Sequence, residues 1–143
     1  MSDDLGDRMK MYEGMEAGRR LMPLLPVLAR IDGRAFHSFT RGMDRPFDAA
    51  FSAAMVETTA ALVRDTGACM GYTQSDEITL AWHSANHKSQ IWFDGRVAKM
   101  TSQLAAQATL IFYRLVLETM PAYAERLPTF DARVWSVPNR TEG

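Results

Sequence analysis

Hydrophobic spacing along the chain alternates between a period of two and a period near 3.6. Across Val27–Asp32, Val27, Ala29 and Ile31 share one face and Leu28, Arg30 and Asp32 the other, as in a strand. A loop through Gly33 and Gly42 follows. Asp48 then stands at an N-cap position ahead of a stretch in which Phe51, Met55 and Leu62, with the neighbouring Val56, Thr59 and Val63, recur at helical spacing, and Gly67 supplies a stop. This predicts a helix over Asp48–Thr66. Cys69–Thr73 and Ile78–Trp82 are short β-prone runs separated by the polar turn Gln74-Ser75-Asp76-Glu77. Ser84–Lys88 reads as a further polar turn, and Gln90–Phe93 as a short strand or extended lead-in. Met100, Leu104, Ala108, Ile111 and Leu115 mark a long amphipathic helix over Arg96–Met120, with Asp94 as its expected N-cap. Pro121 and Pro128 bracket its exit, and Phe130–Val137 is the last expected strand. Ahead of these elements lies a short expected helix, Asp7–Glu16, in a stretch interrupted by Gly14 and Gly18, then a proline-punctuated lead through Pro23 and Pro26.

The resulting order, β-α-β-β-α-β, is the split βαβ plan of an α+β, ferredoxin-like fold with two long helices on one face of the sheet. A right-handed crossover makes the first two strands parallel. The end of the first strand at Asp32 and the turn after the second at Asp76 should therefore share one edge, although 44 residues separate them (76 − 32). The same plan serves many domains without catalytic activity, so it does not by itself specify a function.

Composition narrows the classes. The chain has 143 residues, enough for one domain spanning 1–143, and 47% of them are hydrophobic. The formal net charge is −1, with none of the basic excess of a protein that grips nucleic acid broadly by its phosphates. Any RNA contact must then be local. A single cysteine, Cys69, excludes an intrachain disulfide and fits a reducing compartment. His37, His83 and His87 lie near no cysteine cluster, so a structural zinc site is not expected. No apolar run approaches the ~18 residues of a membrane span, and the acidic Asp3-Asp4 start is unlike a signal peptide. A soluble, cytoplasmic protein is the expectation. The methionines Met9, Met11, Met15, Met55 and Met100 are expected as core filler.

Asp32 and Asp76, with Glu77 alongside, would offer hard oxygen ligands of the kind Mg²⁺ takes together with substrate phosphates. Two such ions about 3.5–4 Å apart serve in-line phosphoryl displacement. Gly33, lacking a side chain, would let its carbonyl come close to a metal or phosphate. A strand-ending turn and an ordinary hairpin would account for the same residues equally well.

Three blocks carry a resemblance: Arg30-Ile31-Asp32-Gly33-Arg34-Ala35-Phe36-His37-Ser38-Phe39, Gly71-Tyr72-Thr73-Gln74-Ser75-Asp76-Glu77, and Phe130-Asp131-Ala132-Arg133-Val134. Their order and spacing, with the opening Gly6-Asp7-Arg8-Met9-Lys10-Met11-Tyr12-Glu13, resemble the tRNA-His guanylyltransferase and guanylyltransferase-like family. That resemblance implies a polymerase-type palm that adds nucleotides to the 5′ end of tRNA in the 3′-to-5′ direction. It implies Asp32, Asp76 and the neighbouring acid Glu77 as catalytic residues, and Asp32, Asp76 and the Gly33 carbonyl as ligands of two Mg²⁺ ions. GTP and ATP are the implied substrates, bound by Arg34, Ala35, Phe36, His37, Arg45, Asp48, Arg96 and Lys99. The family commonly has lysine where Arg45 stands, and arginine keeps the charge with a different fork geometry. A solvated helix face would equally explain Arg96 and Lys99, packing would explain His37, and a structural pairing would explain Asp131 and Arg133. The resemblance further implies tRNA as partner and a homo-oligomer, dimer or tetramer. It covers about the first half of a typical member, without the C-terminal helical region or the His-Asn-Asn block tied to tRNA-His selection. Repair of tRNA 5′ ends is thus expected ahead of strict tRNA-His guanylylation. A palm-type nucleotidyl cyclase and a non-catalytic nucleotide- or RNA-binding remnant are the alternatives.

Overall fold

The structure, a computed structural model, describes residues 4–45, 48–84, 89–139 and 141. Its elements run α1 (Asp4–Ala17), β1 (Val27–Arg34), α2 (Phe36–Phe39), α3 (Ala49–Thr66), β2 (Met70–Gln74), β3 (Glu77–Trp82), α4 (Val97–Thr119) and β4 (Thr129–Ser136), with 3₁₀ turns at Trp92–Gly95 and Pro121–Arg126. The four strands form one sheet in the order β2-β3-β1-β4, and every neighbouring pair is antiparallel. The expected ferredoxin-like plan is therefore present, with β1 and β2 running in the same direction but separated by β3.

One face of the sheet and one side of each long helix enclose the core. Val27, Ala29 and Ile31 of β1, Ile78, Leu80 and Trp82 of β3, and Phe130 of β4 are buried against Met55 and Leu62 of α3 and Met100, Leu104, Ala108, Phe112 and Val116 of α4. The helical residues of that set recur every four positions in α4 and lie seven apart in α3, as an inward stripe must. α3 begins where expected, since the Asp48 carboxylate accepts a 2.9 Å hydrogen bond from the Phe51 amide. It ends where Gly67 adopts a left-handed conformation, φ 70°. Gly71 lets α3 lie directly on β2: a Cβ there would come within 2.7 Å of Val63 and 2.9 Å of Thr59.

Several expectations need correction. α1 runs through Gly14 from Asp4 to Ala17, and none of its residues is buried. Met9, Met11 and Met15 are consequently exposed, whereas Met55 and Met100 are core residues as expected. The stretch after β1 contains the short helix α2. Trp92–Gly95 is a 3₁₀ turn, with Phe93 and Asp94 in left-handed conformations. That bend delays the start of α4, so Arg96 rather than Asp94 occupies the cap position, and the Asp94 carboxylate pairs instead with Arg20 at 3.1 Å. Of the expected turn Ser84–Lys88, residues 85–88 lie outside the described residues.

Candidate active site

The strand registers fix where the expected site residues fall. Asp32 pairs with Glu77 across β1 and β3, and with Asp131 across β1 and β4. Directly beyond, the Gly33 amide donates a 2.9 Å hydrogen bond to the Asp76 carbonyl. The topology thus brings Asp32, Gly33, Asp76 and Glu77 to one edge, held by a backbone hydrogen bond rather than by side-chain contact alone. Both aspartates are half-buried. Arg30 reaches the Asp32 carboxylate with a long 3.4 Å contact, which leaves most of that group's acceptor capacity open.

Three non-glycine residues at this edge have left-handed backbone, Leu127 with φ 48° beside Arg126 and two nearer the carboxylates. Ser75, the first residue of the two-residue β2–β3 turn, has φ 56°, and Ala35, which leads into α2, has φ 55°. Left-handed conformations at non-glycine residues cost about 1–3 kcal/mol and cluster at functional sites. Here they flank the carboxylates on both sides. Gly33 is required for a different reason: a Cβ there would fall on the Phe36 ring. Phe36 is 3% exposed and packs on Phe39 and Phe130 at 5.0 Å, Phe112 at 5.6 Å and Phe51 at 6.1 Å. The aromatic cluster anchors the loop that follows Asp32, and each such pair adds ~0.5–1.5 kcal/mol beyond area burial.

Phe36 is therefore a core residue, and its ring is not available to a nucleotide; only its backbone is. Arg34, Ala35 and His37 are exposed at the same edge. Arg45 is exposed ahead of α3, and Asp48 caps that helix, accepting from Phe51 and, at 3.4 Å, from the Asp44 amide. The eighteen-residue α3 thus directs its N-terminal, electropositive end toward this side of the sheet. Pro46 and Phe47 lie outside the described residues. Arg126 has no sequence signature, yet it belongs here. It donates to the carbonyls of Phe39 (2.8 Å) and Arg41 (2.6 Å), stacks on Tyr123, and shares a shallow groove with Arg34, Ala35 and Ser38.

Arg96 and Lys99 are elsewhere. β3 leaves the carboxylate edge at Glu77 and ends at Trp82, which pairs with Val27 at the far end of β1. α4 starts at that far end, where the Leu21 amide donates to the Gly95 carbonyl and Arg20 bridges Arg96. Five residue steps along the strand separate Val27 from Asp32, roughly 17 Å. Lys99 sits over the Phe93 ring at 5.7 Å, and Arg96 donates to the Phe93 carbonyl. The structure does not bring this pair to the carboxylates of the same chain. A cavity of about 270 Å³, bounded by Leu21, Leu25, Val27, Ile91 and Gly95, also lies at that far end.

The sheet face turned away from α3 and α4 carries side chains in three cross-strand rows, given by the registers. Gln74, Glu77, Asp32 and Asp131 form the row at the edge; Tyr72, Thr79, Arg30 and Arg133 the next; Met70, Ala81, Leu28 and Trp135 the third. Asp131 is thus a fourth acid at the site, alongside Asp32. Among the described residues, no three acidic, histidine or cysteine side chains converge as a ready-made metal cage. Two carboxylates and a nearby carbonyl match the sparse protein donor set Mg²⁺ takes when substrate phosphates and water complete its shell.

The family model described as Thg1, tRNAHis guanylyltransferase, matches residues 6–138. The chain belongs to this family. It is 34% identical to the uncharacterized protein R259 of Acanthamoeba polyphaga mimivirus, over 94% of this chain and 52% of that protein. It is 29% identical to the tRNA(His) guanylyltransferase of Schizosaccharomyces pombe, over 91% of this chain and 48% of that enzyme. Structures of a bacterial tRNA(HIS) guanylyltransferase (Thg1)-like protein, in complex with ATP and with GTP, superpose with a TM-score of 0.88 at 37% identity. Those alignments cover 95% of this chain and 59% and 64% of the two structures. The chain therefore spans about half the length of the curated relatives it matches. Among the described residues, no helix is long and apolar enough to cross a membrane.

Proposed function

We propose that the chain is the Mg²⁺-dependent catalytic palm of a nucleotidyltransferase that adds nucleotides, GTP-derived guanylate foremost, to the 5′ end of tRNA in the 3′-to-5′ direction. The observation that supports this most is the meeting of Asp32 and Asp76 at one sheet edge in a chain of this family. Kinship with proteins solved with ATP and GTP supports a nucleoside triphosphate as the ligand at that edge. In this reading Asp32, Asp76 and the Gly33 carbonyl hold two magnesium ions. When bound, these would stabilise the attacking and leaving oxygens of a phosphoryl displacement.

The chain's own residues do the rest. The backbone from Arg34 through His37 borders the triphosphate, and Arg34 and Arg45 supply cationic charge beside the electropositive end of α3. Arg126 holds the loop before α3 in place through its two carbonyl contacts. Glu77, in register with Asp32, keeps the edge acidic and attractive to metal. Within one chain Arg96 and Lys99 can serve only a separate phosphate contact at the far end of the sheet. Self-association as a dimer or tetramer and a cytoplasmic tRNA pool complete the proposal. The exposed Leu110 and Leu117 on the outer side of α4 are apolar surface available for such contacts.

The test is incubation with Mg²⁺, labelled GTP and tRNA lacking its 5′ nucleotide. Labelled tRNA is expected, lost with EDTA and lost in Asp76→Ala at unchanged circular dichroism. A cyclic or linear dinucleotide product would instead indicate a cyclase. Bound but unreacted GTP would indicate a remnant without activity.

A further inference from the structure

We infer that the open face of the sheet seats the 5′-terminal stretch of a single RNA strand, with Arg30 and Arg133 gripping one backbone phosphate and Trp135 stacking on a base. The inference rests on the nucleotidyltransferase reading of the Asp32 edge and names where its RNA lies. Arg30 and Arg133 are register partners on adjacent strands, with side chains on the same face. Such pairs have Cβ atoms ~4.5–5.5 Å apart, and like charges placed directly opposite destabilise a sheet. Among the described residues, Arg133 has no carboxylate within ion-pairing distance, and Arg30 has only its long contact to Asp32. A phosphate bridging two guanidinium forks converts that repulsion into paired, charge-assisted hydrogen bonds.

The neighbouring rows agree with a strand lying along β1. Asp32 is two residues from Arg30 on one side, and the Leu28–Trp135 row is two residues away on the other, each step roughly 6.6 Å. Trp135 is 37% exposed and borders Leu28, a flat apolar surface of the kind on which unpaired bases stack. The chain has no overall basic excess, its net charge being −1, and Arg30 and Arg133 are the cations in the three rows of this face. A second protein copy over the same rows would cover the Asp32 edge and close it to nucleotide.

The experiment measures anisotropy of a single-stranded oligoribonucleotide with a 5′-monophosphate and a 3′ fluorophore on the full chain. GTP binding in Mg²⁺ is measured separately by calorimetry. R133Q is expected to weaken RNA binding about ten-fold and to flatten the slope of log affinity against log salt by about 0.7. W135A is expected to weaken it about five-fold or more without changing that slope. Both should keep wild-type GTP affinity and wild-type circular dichroism. If R133Q does not fold, R133K, which keeps the charge and loses the fork, is expected to weaken RNA binding partially with the slope retained. Unchanged RNA affinity in the variants overturns the inference. So does a parallel loss of GTP affinity, which would place Arg133 in the triphosphate site. Dissociation of an oligomer by sedimentation with RNA affinity intact would assign the face to a second copy. Wild-type chain that binds GTP with Mg²⁺ but no RNA sinks this inference alone; chain that binds neither sinks the functional reading as well.

Discussion

Replacing Gly33 with alanine adds one methyl group at the point where β1 turns into the loop after Asp32. The new Cβ would sit on the Cγ of the Phe36 ring and within 2.6 and 2.7 Å of its two Cδ atoms. The ring cannot swing aside, because Phe39, Phe112 and Phe130 hold it with centroids 5.0–5.6 Å away. Forcing an extra methyl into such packing costs about 1–3 kcal/mol. At a urea dependence of about 2 kcal/mol per molar, a 2 kcal/mol loss lowers the unfolding midpoint by roughly 1 M. The cause is specific, so a second change should relieve it. Phe36→Leu removes the ring atoms that clash, and Gly33→Ala with Phe36→Leu should be less destabilised than the sum of the single variants by about 1 kcal/mol or more. The strain would also displace the Gly33 amide from the Asp76 carbonyl, now at 2.9 Å, and so disturb the carboxylate edge. Wild-type stability for Gly33→Ala, or strict additivity in the double variant, refutes the close-approach argument.

Asp48→Ala should cost about 1 kcal/mol by urea unfolding, through loss of the carboxylate that caps α3 at the Phe51 amide. Phe112→Ala, at a side chain with no exposed surface packed among the four rings of Phe36, Phe39, Phe51 and Phe130, should cost about 3–5 kcal/mol, read as a large fall in midpoint or a failure to fold. Arg126→Met should cost about 1–3 kcal/mol by leaving the Phe39 and Arg41 carbonyls without their donor, and limited proteolysis at Arg41 should quicken.

Much of this arrangement is legible in the sequence. The two-residue period placed β1 and its buried face, and the helical period with Asp48 and Gly67 bounded α3 to within a residue. The β-α-β-β-α-β order then required Asp32 and Asp76 to share an edge. What escaped has physical reasons. α2 spans four residues, too few to show a period. Asp94 resembles a cap, but no glycine at Phe93 or Asp94 announces their left-handed turn. The methionines of α1 point to the core by residue type alone, and Met9, Met11 and Met15 do not share one helix face, so they form no stripe to be buried. Arg96 and Lys99 follow the family's order, and a motif's order does not say which end of the sheet it occupies. The topology does: a strand that leaves the edge at Glu77 delivers the next helix to the far side. That Asp131 lies beside Asp32 becomes visible only through their register, a pairing that spans 99 residues (131 − 32).

The proposed function requires Asp32, Asp76 and the Gly33 carbonyl to act together as the seat of metal and triphosphate. A crystal structure of the chain with Mg²⁺ and GTP tests this most directly. Metal density is expected between the two carboxylates, with the triphosphate running past Arg34 toward the start of α3. Triphosphate bound instead beside Arg96 and Lys99, with no metal at Asp32 and Asp76, would contradict it.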